Sequence, residues 1–181
     1  MEKVVLKGKL FIIRSLSQGD LKRPEIFLAY INSLIFDQEA MISFSEEKTI
    51  EEESAWLVNM LSQVNSSRAR IFIAETDGLI VGEAAVCLCP ERRQHVAELG
   101  VSLIRGYRGY GLGKYLLQKV IDIAKDELVP CPKMIRVSVF SSNDVAISFY
   151  QKCGFRAVAS IPGQFEFGGR SIDEIVMLKF V

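Results

Sequence analysis

The sequence predicts an α/β architecture: a mixed sheet, partly antiparallel and partly parallel, with helices on both faces. Strand-like segments follow one another in the middle of the chain, and a hairpin signal at Asp77-Gly78 joins two of them into an antiparallel pair. Towards the end, amphipathic helices separate the strands, the pattern of parallel crossovers. The length of 181 residues, with 49% hydrophobic and 24% charged, suits one domain over residues 1–181 with a core large enough to need no staples.

In chain order, Lys9–Leu16 (KLFIIRSL) reads as the first strand. Asp20–Phe36 sets Leu21, Ile26, Leu28, Ile31 and Leu34 at helical spacing, with Pro24 in the opening turn, where a missing N–H does no harm. Ile50–Val64 gathers Trp56, Leu57, Met60, Leu61 and Val64 on one side of a second helix. Thr49 and Glu52 have capping-box spacing, and Glu51–Glu53 read as acids offsetting the helix dipole. Strands follow at Arg70–Glu75, Leu79–Cys89 and Val96–Ile104. Leu112, Leu116, Val120 and Ile123 form one stripe of a helix over Gly111–Glu127. Met134–Phe140 is a strand, Asn143–Lys152 a helix ended by Cys153-Gly154, and Phe155–Ile161 and Ile172–Phe180 are the closing strands.

Composition excludes several functional classes. Twenty-two basic and 22 acidic residues cancel, so the chain lacks the basic face that a nucleic-acid binder uses to displace phosphate counterions. The apolar runs, such as Ile26–Ile31, are far shorter than a membrane span, and the first residues do not read as a signal peptide, so no membrane partner is expected and a cytoplasmic location is. Cys87, Cys89, Cys131 and Cys153 lack paired metal-ligand spacing, and His95 is the single histidine. No metal is expected. Cys153 reads as apolar filler, since a Cys–His enzyme would have to recruit His95 from a distant segment.

The sharpest local feature is Arg108-Gly109-Tyr110-Gly111-Leu112-Gly113-Lys114, between a strand and the best helix. Glycines there let the backbone come close to a ligand, and the free N–H groups of a helix start make an anion site, to which Arg108 and Lys114 add charge. A tight turn with no ligand would use the same letters. A Walker loop needs Ser or Thr where Tyr115 stands, and a dinucleotide fingerprint needs a glycine where Lys114 stands. What fits is Arg-x-x-Gly-x-Gly opening a helix, followed by Asn143-Asp144-Val145-Ala146-Ile147-Ser148-Phe149-Tyr150 and Gly154-Phe155.

In these two segments, Val101–Leu117 and Val137–Phe155, the sequence resembles the GNAT superfamily of acetyl-CoA-dependent N-acetyltransferases. The family's glycine loop falls on Arg108–Gly113, its Asn-x-x-Ala-x-x-x-Tyr helix on Asn143, Ala146 and Tyr150, and its Gly-Phe turn on Gly154-Phe155. The order of elements over Lys9–Phe180 agrees with a GNAT-type fold. The resemblance implies acetyl-CoA as cosubstrate, its pyrophosphate on the N–H groups of Gly109, Tyr110, Gly111, Leu112, Gly113 and Lys114 beside Arg108. It implies that the backbone of Val101, Ser102 and Leu103 bonds the pantetheine arm and thioester, in a gap where this strand splays from its neighbour. Asn143 would reach the same arm while capping its helix. A homodimer is common in the family.

The implied reaction is acetyl transfer to a primary amine by direct attack, with proximity and backbone N–H donors supplying most of the acceleration. Tyr150 is the candidate acid for the departing thiolate, or alternatively a half-buried helix aromatic. Glu98, on the strand of the thioester contacts, is the candidate base; it reads equally as a structurally paired surface glutamate. A non-catalytic acyl-CoA-binding module is the alternative function, and a phosphate binder using the glycine loop alone is the second. The family builds its acceptor pocket around segments that here are Leu34–Glu53 and Phe165–Asp173. Asp37, Glu39, Glu46 and Glu47 therefore form either an acidic wall for a cationic acceptor or a solvated loop.

Overall fold

A computed structural model describes all 181 residues. Eight strands form one sheet in the order β1-β2-β3-β4-β5-β6-β8-β7. They are β1 (Glu2–Leu6), β2 (Lys9–Ser15), β3 (Ala69–Thr76), β4 (Leu79–Leu88), β5 (Val96–Leu103), β6 (Met134–Phe140), β7 (Arg156–Phe167) and β8 (Arg170–Phe180). Four helices accompany them: α1 (Pro24–Ile35), α2 (Ile50–Asn65), α3 (Leu112–Glu127) and α4 (Asp144–Lys152). Every neighbouring pair is antiparallel except β5–β6.

The sheet divides two apolar clusters, because successive strand residues face opposite sides. On one face, Leu116, Leu117, Val120 and Ile121 of α3 pack with Tyr150 of α4 against Val81, Ala84 and Val86 of β4 and Ala97 and Leu99 of β5. On the other, Phe27, Tyr30 and Leu34 of α1 and Leu57, Met60 and Leu61 of α2 cover Ile71, Ile73 and Ile80, with Ala85 and Cys87 alongside. Glu83 belongs by alternation to this second face, and it stands directly opposite Ser102 of β5.

Three expectations are corrected. The chain opens with an extra strand, β1, paired with β2 from Glu2↔Ile13 to Leu6↔Lys9. The helix expected over Asp20–Phe36 begins at Pro24, after a separate tight turn over Gln18–Lys22 held by the Asp20 carboxylate, which accepts from Ser17 N–H at 2.8 Å. The penultimate strand runs on to Phe167 through two irregularities in its pairing with β8.

The feature that creates the site is the shortness of the parallel contact. β5 and β6 share register only at Val96↔Met134, Ala97↔Ile135 and Glu98↔Arg136, after which the strands part. Ile104 N–H donates to Val81 C=O at 3.1 Å, so even-numbered residues at this end turn their backbone groups to β4. By the same alternation, Val101 and Leu103 turn theirs into the opening.

Candidate active site

Past the opening of the sheet, the chain turns into α3 through the glycine loop. Gly109 and Gly111 have φ of 81° and 91°, values that other residues adopt only with strain, and Gly111 is the N-cap of α3. The first N–H groups of α3 have no carbonyl of their own helix to bond, and here they open beside Lys114. Lys7, in the β1–β2 turn, donates to Gly109 C=O at 2.7 Å and braces the loop from outside. Two members of the loop contribute backbone alone. The Tyr110 ring lies edge-on to Phe11 and packs against the core, and the Leu112 side chain is completely buried.

Arg108 is committed in two directions. Its Nε donates to Leu103 C=O at 3.2 Å, its Nη2 meets Asp37 at 2.6 Å, and its Nη1 lies 3.7 Å from Glu39. Arg105 reaches Glu39 at 3.5 Å. Burial would raise the Asp37 carboxyl, but the Glu39 N–H and the Arg108 guanidinium outweigh it and hold the group below its ordinary range. Half of the expected acidic wall is thus paired with Arg105 and Arg108, and only Glu46 and Glu47 of that set stand without an ion pair.

Loop, opening and α4 enclose a cleft of about 670 Å³. Val101, Ser102, Leu103, Arg108, Gly109, Gly111, Gly113, Lys114 and Asn143 line it, with Met41, Ile42, Val145 and Phe149 as its apolar walls. The structure therefore brings together most of the residues the sequence singled out. Asn143 caps α4, its side-chain oxygen accepting from Ala146 N–H at 2.9 Å. Tyr150 lies deeper, its ring edge-on to Phe149 and Phe155 at 5.2 and 5.4 Å, and its phenol oxygen meets the Val101 backbone at the opening. Burial pushes its pKa up to about 12 against the opposing effect of that backbone contact, so the phenol keeps its proton at neutral pH.

Glu98 stands elsewhere. It occupies the end of β5 that is still paired with β6, faces solvent and meets Arg136 at 3.4 Å. It lies four positions from Ser102, about 13 Å along a strand. It lines neither this cleft nor the pocket beneath it.

That second pocket, about 430 Å³, joins the cleft where both share Leu34, Ile42 and Ser102. Phe27, Tyr30, Trp56 and Met60 form its walls, and Glu53 and Glu83 open into it. Tyr30 donates to Ser102 C=O at 3.0 Å and shares a 2.8 Å bond with the Ser102 hydroxyl, fixing the junction; burial drives its pKa far above the ordinary phenol value. Burial, reinforced by Glu53, lifts Glu83 to about 7. Burial lifts Glu53 to about 7 as well, against the pull of Lys48. Glu83 escaped the sequence reading. Its signal is a lone acid within the apolar run Ile80–Leu88, on the face that alternation assigns to α1 and α2.

A strand that parts from its neighbour, a glycine loop and a helix start facing the opening together define an architecture seen in N-acetyltransferases. A ribosomal-protein-alanine N-acetyltransferase from Brucella melitensis superposes with a TM-score of 0.79 at 23% identity, covering 94% of this chain and 99% of its own. An N-acetyltransferase from Staphylococcus aureus Mu50 gives 0.79 at 21%, covering 94% and 98%. A GNAT-superfamily phosphinothricin acetyltransferase from Sinorhizobium meliloti, in complex with acetyl-CoA, gives 0.78 at 15%, covering 94% and 88%. The chain belongs to the acetyltransferase (GNAT) family, whose model matches residues 34–155, and is thus an acyltransferase. None of its helices is long and apolar enough to cross a membrane, and no group of three or more His, Cys, Asp or Glu is placed to hold a metal ion.

Proposed function

We propose that this protein transfers an acetyl group from acetyl-CoA to a primary amine by direct attack. The observation that carries the reading is the junction at Ser102, where the cleft behind the glycine loop meets a separate pocket containing a carboxylate without a partner. The cleft fits acetyl-CoA in its chemistry: an anion site at the start of α3 beside Lys114, then an apolar channel between Ile42 and Phe149 ending at the opening of the sheet. Gly109–Lys114 would hold the pyrophosphate, Val101–Leu103 and Asn143 the pantetheine arm. When bound, acetyl-CoA supplies an acyl carbon already activated as a thioester.

The remaining chemistry belongs to side chains of this protein. An alkylammonium must lose a proton before its nitrogen can attack. Glu83 supports the role of base better than Glu98, because it lines the pocket opposite Ser102 while Glu98 lines neither cavity, and its pKa of about 7 suits a general base at neutral pH. The nitrogen–carbon bond forms, the Tyr150 phenol donates its proton to the departing sulfur as the carbon–sulfur bond breaks, and the second proton shed by the nitrogen restores the phenol through solvent. Mixing protein, acetyl-CoA and a panel of primary amines while following free thiol tests the reading. Amine-dependent thiol release, with a higher melting temperature in acetyl-CoA, is expected. A rise in melting temperature with no turnover for any amine would instead favour the acyl-CoA-binding module.

A further inference from the structure

The pocket behind Ser102 holds one carboxylate more than the reaction needs. Glu53, in the first turn of α2, is 7% exposed, and its carboxylate, like that of Glu83, has no hydrogen bond or ion pair within the protein. Its neighbour shows what a helix-start acid ordinarily does. Glu52 stays half exposed at the pocket's rim and accepts from Thr49 N–H at 2.9 Å, completing the capping box. Glu53 turns inward instead. A buried carboxylate left without a partner is costly, and native structures seldom keep one unless a ligand supplies the missing partner.

The rest of the pocket narrows what that ligand is. Lys48 is its one cation and lies over the Phe44 ring at 5.4 Å while meeting Glu52 at 3.8 Å. Against it stand Glu52, Glu53 and Glu83, and no arginine lines the pocket. An acceptor carrying a carboxylate would meet three acids against Lys48 alone, which Glu52 already engages. A single ammonium also falls short. Once Glu83 has taken its proton the nitrogen is neutral, and Glu53 is still unpaired.

We propose that the acceptor is a short diamine, whose first nitrogen is presented to Glu83 at Ser102 while its second, still protonated, is held by Glu53 within the aromatic walls. The inference rests on the N-acetyltransferase reading and names its substrate class. Trp56, Tyr30 and Phe27 suit it twice over: they pack on a methylene chain, and ring faces attract a cation. The volume of about 430 Å³ lies at the small-molecule end of ligand sites. The product keeps its second ammonium, so the contact to Glu53 persists until release.

Three chain-matched compounds test the proposal on the intact protein: 1,4-diaminobutane, butylamine and 4-aminobutanoate, each with acetyl-CoA and thiol release as the readout. The diamine should exceed butylamine in kcat/KM by about tenfold or more, with 4-aminobutanoate last. In Glu53→Gln the ratio of diamine to butylamine should fall to about one. Equal rates for the two amines in the wild type, or a preference that survives in Glu53→Gln, overturns the proposal. A second arm measures melting temperature with each compound, with and without CoA, and so needs no chemistry. A rise specific to the diamine and lost in Glu53→Gln is expected; no such rise overturns the proposal. Absence of any acetyl-CoA binding or consumption would remove the N-acetyltransferase reading itself, a result distinct from either arm.

Discussion

The Arg108 guanidinium donates to the Asp37 carboxylate across 2.6 Å, joining the connection between α1 and α2 to the glycine loop in front of α3. Seventy-one positions separate the two residues in sequence. Asp37 has only 6% of its side chain exposed, so the pair is shielded at one end and open at the other. An anion arriving at the start of α3 therefore meets a cation already held in place, at less entropic cost than one recruited from solvent.

Arg108→Ala should raise the KM for acetyl-CoA about tenfold, the scale of one hydrogen bond to a charged group. Its effect on stability should stay within about 1 kcal/mol, because a partly exposed ion pair contributes little. Steady-state kinetics and thermal melting read the two effects separately. An unchanged KM would take Arg108 out of the anion site.

Within the loop, position and conformation separate two variants. A side chain at Gly113 would meet Leu103 and Phe149 at ordinary contact distances, so Gly113→Glu should fold yet lose acetyl-CoA binding, its carboxylate standing where the anion belongs. Gly111→Ala meets no obstruction but must hold φ near 91°, which costs about 1–2 kcal/mol. Calorimetric titration of the first and melting of the second test both statements.

Tyr150→Phe should lower kcat about a hundredfold and leave the KM for acetyl-CoA nearly unchanged, the mark of a group that acts on the departing thiolate. Thiol release under conditions where chemistry limits the rate is the measurement. Full turnover in the variant would return Tyr150 to the edge-packed trio with Phe149 and Phe155.

Glu83 must be ionised to accept a proton, so kcat/KM should rise with pH and level off above about 7. The charged groups around it in the pocket are Glu53 and Glu52 of α2 and Lys48 just before that helix, with the Tyr30 phenol from α1. Glu83→Gln should abolish this limb and lower kcat by about 10²–10⁴. A pH–rate profile that keeps the limb in Glu83→Gln assigns it to another group.

The same two carboxylates set a stability trend. An acid with a pKa of about 7 in the fold and 4.5 when unfolded holds its proton more tightly in the folded state. Stability should therefore be greatest at low pH within this window, fall as pH rises from about 4.5 to 7, and stay level above. Thermal melting across that range, repeated with Glu53→Gln/Glu83→Gln, should show the slope disappear in the double variant.

What was legible in the sequence was local. The loop over Arg108–Lys114 and the stripe of α3 depend on residues a few positions apart, as does the Asn143–Tyr150 helix. β1 was missed because Glu2–Leu6 is an edge strand with mostly exposed side chains, and its partner β2 rather than its own apolar pattern makes it a strand. For Glu98 the face was predictable and the position along the opening was not, since where β5 and β6 part depends on their register. Glu53 looked like its outward-facing neighbours Glu51 and Glu52. Only the packing of α2 beside α1 turns it into a pocket, as it does Glu83 from the strand side.

The early parting of β5 and β6 leaves the sheet in two leaves: β1–β5 on one side, β6, β8 and β7 on the other. Three register pairs and a continuous apolar cluster hold the leaves together. Apolar contact has no direction, so it tolerates small opening motions that a full ladder of backbone bonds would resist. A molecule lying in the gap and bonded to both leaves acts as a rivet. Amide hydrogens of Val101 and Leu103 on one leaf, and of Ser138 on the other, should exchange with solvent together and slow together once the gap is bridged.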